Sequence, residues 1–395
     1  MLSDVYFPRV NGVSSSIRTY ARALVAMGHR VTLVAPDYGP DSSQAQHDGD
    51  FEVIRLPSRV IFFDPEDRLV KASALRGVLP HLAGRHWDAI HIHTPFRAHK
   101  LGVQLGRRSG APTVETYHTY FEEYVAHYLP WLPSSLTRLI ARRVSRKLCR
   151  EVDHLIVPSQ QMVEVLQRYG IDTPLTVLPT GLALGEFAQG DGARFRQAHG
   201  IGPQQPTLVT VSRLALEKNI AFLLRVTRKL VERYPELLFI IAGEGPDAER
   251  LKKLTASLGL QANVRFFGNL DRLSTLLDCY RAGDVFVFAS PTETQGLVLI
   301  EAMALGVPIV STAVMGTATV LRDARSAVVS GENVDEFADH VARLLHAPEL
   351  RAALSAAGPI DAQAWSAEGL MRKAVALYAG LAAGEGEPAL DPAIS

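Results

Sequence analysis

Short apolar runs alternate along this chain with longer segments of helical period. In the first half, residues 31–35, 51–55, 88–92, 112–115 and 154–157 are brief, apolar and rich in β-branched side chains, as strands are. Ahead of them, residues 14–27 place Ile17, Tyr20, Ala21, Leu24 and Val25 on one helical face. Serines stand at the entry of that segment and Gly28 at its exit, the residues preferred at the two ends of a helix. Strand–helix alternation predicts a parallel sheet covered on both faces. The pattern restarts after a Gly-, Gln- and Pro-rich stretch at 184–206, with strands expected at 207–211, 237–242, 264–267, 285–289 and 308–312. Two α/β domains of doubly wound, Rossmann-like type are therefore expected, 1–183 and 184–365. An amphipathic helix at 366–381 and a frayed Gly/Glu/Pro tail follow. The first strand, 2–5, is shorter than a central parallel strand normally is.

Composition narrows the class. Of 395 residues, 47% are apolar and 21% charged, which argues against disorder. Lys+Arg and Asp+Glu number 41 each, so overall charge gives no reason to expect a nucleic-acid partner. The halves differ, however: residues 1–180 hold 21 Lys+Arg against 17 Asp+Glu, and 10 of the 13 histidines. Cys149 and Cys279 cannot form a disulfide framework, which fits a reducing compartment. The chain has neither an apolar run of ~18 residues nor a charged-then-apolar leader, so a cytoplasmic location is expected.

In open parallel sheets, ligands bind beyond the carboxyl ends of the strands. Residues 291–308 follow an expected strand, carrying Glu293 in a loop, Gly296 at a helix start and Glu301 one turn further in. The free amides of Gly296, Leu297 and Val298 suit an anion, and carboxylates on either side could grip hydroxyls at both ends of a sugar nucleotide. The plain alternative is a loop Glu and a surface-helix Glu. Arg213 and Lys218 share the loop after the strand at 207–211, where two cations could hold a diphosphate or merely be solvated. Gly243 and Gly245 follow the next strand and would allow close backbone approach to a ligand. In the first domain, the loop at 8–16 contains Gly12 but matches neither a dinucleotide fingerprint nor a phosphate loop. His118 lies just past a strand; His91 and His93 share a strand face but lack a third ligand at metal spacing.

Taken together, Glu293 and Glu301 at E-x7-E spacing, the Arg213/Lys218 loop, Gly243–Gly245, Asn11-Gly12 and His118-Thr119 resemble the retaining glycosyltransferases of family four. The resemblance implies the GT-B architecture: two facing Rossmann-like domains, an interdomain cleft, and a final helix crossing back onto the first. It implies that Arg213 and Lys218 hold the donor diphosphate, Glu301 the ribose, and Glu293 with Gly296 and Leu297 the transferred sugar. It further implies that His118 approaches the reacting centre and that the Gly12 loop closes over the phosphates. Ser212 departs from the family's usual Gly before the Arg. Retention at the anomeric carbon is implied, and same-face transfer is favoured because Glu293, engaged with sugar hydroxyls, is poorly placed as a nucleophile. The donor would be a UDP- or GDP-sugar, with no metal or other cofactor required.

For the acceptor, residues 117–131 are aromatic-rich (Tyr117, Tyr120, Phe121, Tyr124, Tyr128, Trp131). Residues 134–150 then combine Arg138, Arg142, Arg143, Arg146, Lys147 and Arg150 with Leu136, Leu139, Ile140, Val144 and Leu148 at helical spacing. Such a helix either lies on anionic lipid or packs its apolar stripe on the core. The stretch 118–128 is similar to that of bacterial diacylglycerol glucosyltransferases, favouring a lipid acceptor and attachment to the inner membrane face. A glycan or soluble acceptor with GDP-mannose, a nucleotide-sugar epimerase or phosphorylase, and a non-catalytic binding module are the alternatives.

Overall fold

The short first strand proves to be the seam of its sheet. In this computed structural model, which describes residues 1–9, 11–39, 47–49, 51–61, 64–118, 134–187, 189–271 and 274–384, Leu2 bridges Val34 and Ile92, both in parallel. Leu2 N donates to His91 O at 2.8 Å and Ser3 N to Val34 O at 3.0 Å, so three residues stitch two groups of strands into one sheet. A strand bonded on both sides needs little length to do this. The chain divides into two units, 1–181 with 367 onward, and 182–366.

The first unit runs α1 (Gly12–Ala26), β1 (Thr32–Pro36), β2 (His47–Asp48) and β3 (Phe51–Leu56), then a hairpin of β4 (Ser58–Ile61) and β5 (Asp64–Val70). There follow α2 (Ala72–Ala83), β6 (Ile90–Ile92), α3 (Arg97–Ser109), β7 (Thr113–Thr116), α4 (Ser134–Cys149), β8 (His154–Val157), α5 (Gln160–Arg168) and β9 (Leu175–Val177). β3 and β1 lie on one side of the seam and β6, β7, β8 and β9 on the other, all parallel.

In the second unit, α6 (Gly192–Ala198) precedes β10 (Thr207–Val211), α7 (Ile220–Val231), β11 (Leu238–Ala242), α8 (Ala248–Ser257), β12 (Val264–Gly268) and α9 (Thr275–Ala282). Then come β13 (Val285–Phe288), α10 (Leu297–Ala304), β14 (Ile309–Thr312), α11 (Gly316–Leu321), β15 (Ala327–Ser330), α12 (Val334–His346) and α13 (Pro348–Ala362). The sheet order is β12-β11-β10-β13-β14-β15, with every pair parallel. The strand order reverses between β10 and β13, which puts the switch point of the sheet at their carboxyl ends. The Gly-rich stretch at 184–206 is not a slack connector: Phe187, Phe195 and Ile201 are buried in the core of this unit. A Cβ on Gly192 would stand 2.1 Å from Arg281 O, so that glycine serves close packing on α9.

The last helix, α14 (Ala367–Ala383), returns to the first unit. Its Leu370, Met371, Ala374 and Leu377 form one core with Tyr20, Val114, Ile156 and Leu178. No helix among the described residues is long and apolar enough to cross a membrane.

Asp4 follows the seam and ties it to α3. Its buried carboxylate accepts the amides of Arg97 at 3.1 Å and Ala98 at 3.1 Å, and the Thr94 hydroxyl at 2.8 Å. Those amides are orphan donors at a helix start, and the carboxylate satisfies them from another element. Asp4→Ala should therefore cost about 1–3 kcal/mol in urea unfolding. Burial raises the Asp4 pKa from 3.8 to about 6 against the hydrogen bonds that oppose it. Its contribution to stability is then complete below about pH 4 and declines as pH rises through 6. Asp4→Asn should remove that part of the pH dependence.

Candidate functional site

The residues expected to hold a donor gather on neighbouring strand ends of the second unit. β10 leads into a loop whose turn Leu216–Lys218 is followed by Asn219, with φ 53°, at the start of α7. β13 leads into the loop carrying Glu293. The two loops are tied: Ser290 Oγ donates to Glu217 O at 2.9 Å. Between them, Lys218 Nζ donates to Glu293 Oε2 at 2.6 Å, both side chains about one-fifth exposed. The resemblance gave these residues different parts of one donor; the structure pairs them with each other. Arg213 stands exposed on the same loop as Lys218.

Gly243 and Gly245 have a packing task that the sequence did not indicate. With φ 124°, Gly243 would place a Cβ 2.0 Å from Ser212 O; Gly245 would place one 2.4 Å from Leu214 O. Leu214 N also donates to Glu244 O at 2.8 Å. These glycines let the loop after β11 lie against the backbone on either side of Arg213.

Gly296, with φ 86°, caps α10, and Leu297 and Val298 open it. Glu301, one turn on, is no surface carboxylate: it is 2% exposed and accepts the Tyr280 hydroxyl at 2.7 Å. The sequence reading missed two supports of the Glu293 loop. Gly316 N donates to Glu293 O at 2.8 Å, and a Cβ on Gly316 would lie 2.1 Å from Thr294 O. Met315, just before it, holds φ 54° and ψ −130°, a strained backbone for a residue with a side chain. No sequence pattern marks a strained methionine.

The first unit presents neutral imidazoles at its strand ends. His91 and His93 do share a face, with ring centroids 3.9 Å apart. His93 Nδ1 and His118 Nε2 share a hydrogen bond of 3.2 Å, while His93 Nε2 is buried without a partner. His91 bonds Thr116 Oγ1 at 2.6 Å and the Tyr378 hydroxyl of α14 at 2.7 Å. Burial lowers the pKa of His118 to about 4 and holds His91 and His93 well below the usual range. All three are uncharged at neutral pH. Gly12 opens α1 behind Asn11, whose side chain accepts Ser14 N at 2.8 Å, and no heavy atom lies within 4 Å of where its Cβ would stand.

α4 turns an unexpected face inward. Thr137, Ala141, Ser145 and Cys149 are buried, whereas Leu136, Leu139 and Val144 are 40, 47 and 39% exposed. Arg138, Arg142, Arg143, Arg146 and Lys147 are exposed beside them. The helix thus packs a face of small residues inward, with Ile140 and Leu148 half-buried at its margin, and leaves three of the five apolar residues among the exposed cations. Of the aromatic run at 117–131, all but Tyr117 lies outside the described residues; Tyr117 is buried and its hydroxyl meets Ser145 Oγ at 2.8 Å.

Comparison with known proteins bears on both units. The family described as "Glycosyltransferase Family 4" matches residues 10–186, and "Glycosyl transferases group 1" matches residues 191–360. An alpha-monoglucosyldiacylglycerol synthase of Streptococcus pneumoniae is 32% identical over 79% of this chain and 70% of its own. One of Acholeplasma laidlawii is 27% identical over 96% of both chains. Among solved structures, sucrose-phosphate synthase from Thermosynechococcus elongatus superposes with a TM-score of 0.77 at 22% identity, covering 97% of this chain and 99% of that one. With both Rossmann-like units matched in order, this chain belongs to the family 4/group 1 glycosyltransferases and has the GT-B fold.

Proposed function

We propose that this glycosyltransferase moves a hexose, with retention, from a UDP- or GDP-sugar to a hydroxyl of a membrane lipid of the diacylglycerol class. The observation that carries the acceptor class is the outward face of α4, where Leu136, Leu139 and Val144 stand among arginines. An apolar stripe flanked by cations suits the boundary between anionic headgroups and acyl chains. The relatives named as monoglucosyldiacylglycerol synthases favour the same class.

On the donor side, Arg213 and Lys218 hold the diphosphate, Glu301 the ribose, and Glu293 with the amides of Gly296, Leu297 and Val298 the hexose. As the bond from the anomeric carbon to phosphate breaks, charge grows on the departing diphosphate and the two cations stabilise it. The acceptor oxygen bonds to the same face of that carbon and passes its proton to a phosphate oxygen. His118, half-buried and neutral, positions the sugar by hydrogen bonding and carries no proton through the step.

Incubation with UDP- and GDP-sugars and dioleoylglycerol vesicles should release one nucleoside diphosphate as glycolipid forms, with an unchanged anomer by proton NMR. No lipid-dependent release from any donor would overturn the reading. Arg213→Ala should lower kcat about 10²–10³-fold. The pH–rate profile should show no inflection near 6.5 from His118, whose titration lies near 4. Arg143→Glu with Lys147→Glu should weaken sedimentation with phosphatidylglycerol vesicles about tenfold or more, since each cation contributes about 1 kcal/mol at an anionic surface. Melting temperature should stay unchanged, because both side chains are exposed.

A further inference from the structure

The Lys218–Glu293 pair joins two residues that the proposed reaction assigns to opposite halves of the donor. Its 2.6 Å length and limited exposure make it a charge-assisted hydrogen bond, stronger than an ordinary surface ion pair. Both loops are tied to neighbouring elements. The Lys218 loop is bound to the end of β13 through Ser290, and Asn219 Nδ2 donates to Glu332 at 2.8 Å. Glu293 O is held by Gly316 N, beneath a glycine that admits no side chain. A change of partner needs no more than rotation of the two side chains.

We propose that this ion pair is exchanged during donor binding: Lys218 passes from Glu293 to the diphosphate, and Glu293 is thereby released to the sugar hydroxyls. The inference rests on the donor contacts given above. A diphosphate competes with Glu293 for the ammonium, so a nucleoside diphosphate alone leaves a partly buried carboxylate without its cation. A complete nucleotide sugar supplies hydroxyl donors that take the place of that cation. Recognition of the two halves is thus coupled: the sugar is gripped once the diphosphate has drawn Lys218 away. The same coupling favours release of the product diphosphate, because after transfer Glu293 draws Lys218 back.

The exchange predicts an effect opposite in sign to simple contact loss. Glu293→Gln should bind UDP or GDP about three- to tenfold more tightly than the parent, because the neutral amide competes weakly for Lys218. Calorimetry on the full chain with both nucleotides measures this, with melting temperature as the check on folding. Removing a carboxylate could also raise affinity for any anion through the general field. In a Lys218→Met background, therefore, Glu293→Gln should give no gain; a gain that persists there assigns the effect to field alone and overturns the exchange. Lys218→Met by itself should weaken nucleotide binding. If it does not, or if the parent binds neither nucleotide, the donor contacts themselves are wrong. If Lys218→Met weakens binding yet Glu293→Gln leaves it unchanged or weaker, those contacts stand and the exchange falls.

Discussion

The candidate site of the second unit depends on β10 and β13 lying side by side as parallel neighbours. Their adjacency brings an ammonium from one loop and a carboxylate from the next to 2.6 Å, although 75 residues separate them. Each loop needs a backbone that an ordinary residue resists. Asn219 takes the left-handed conformation beside Lys218, and Met315 takes a strained one beside the amide that holds Glu293. Strain of this kind persists where surrounding contacts over-determine it, and here the surroundings are the neighbouring strand ends.

The strand ends of the two units differ in charge. In the second, an ammonium and a carboxylate are paired at 2.6 Å. In the first, burial holds the rings of His91, His93 and His118 uncharged, with His118 stacked on His93 and Thr116 and Tyr378 supplying hydroxyls to His91. These rings form a neutral hydrogen-bonded cluster at the strand ends.

Much of the fold was legible because buried parallel strands read as plain apolar runs: β10, β11 and β13 fall where the pattern puts them. The hairpin β4–β5 escaped, since β4 shows no alternation: its neighbours Arg59 and Val60 are both exposed. For α4, periodicity located an apolar stripe but could not tell that a stripe of small residues would win the inward position. At the site, residue types and spacing pointed to Arg213, Lys218, Glu293 and Glu301. Pairings across long sequence separation were hidden: Lys218 with Glu293, Tyr280 with Glu301, and the glycines at 243 and 245 with the Arg213 loop. Each depends on which strands become neighbours, and no local window contains that information.

α14 has a consequence for how the chain is made. Leu370, Met371, Ala374 and Leu377 complete a core whose other members, Tyr20, Val114, Ile156 and Leu178, are translated long before. On the ribosome the amino-terminal unit must wait with that face uncovered while residues 182–366 emerge. The later-made unit, continuous in sequence, can therefore close first, reversing the usual amino-to-carboxyl order of domain completion.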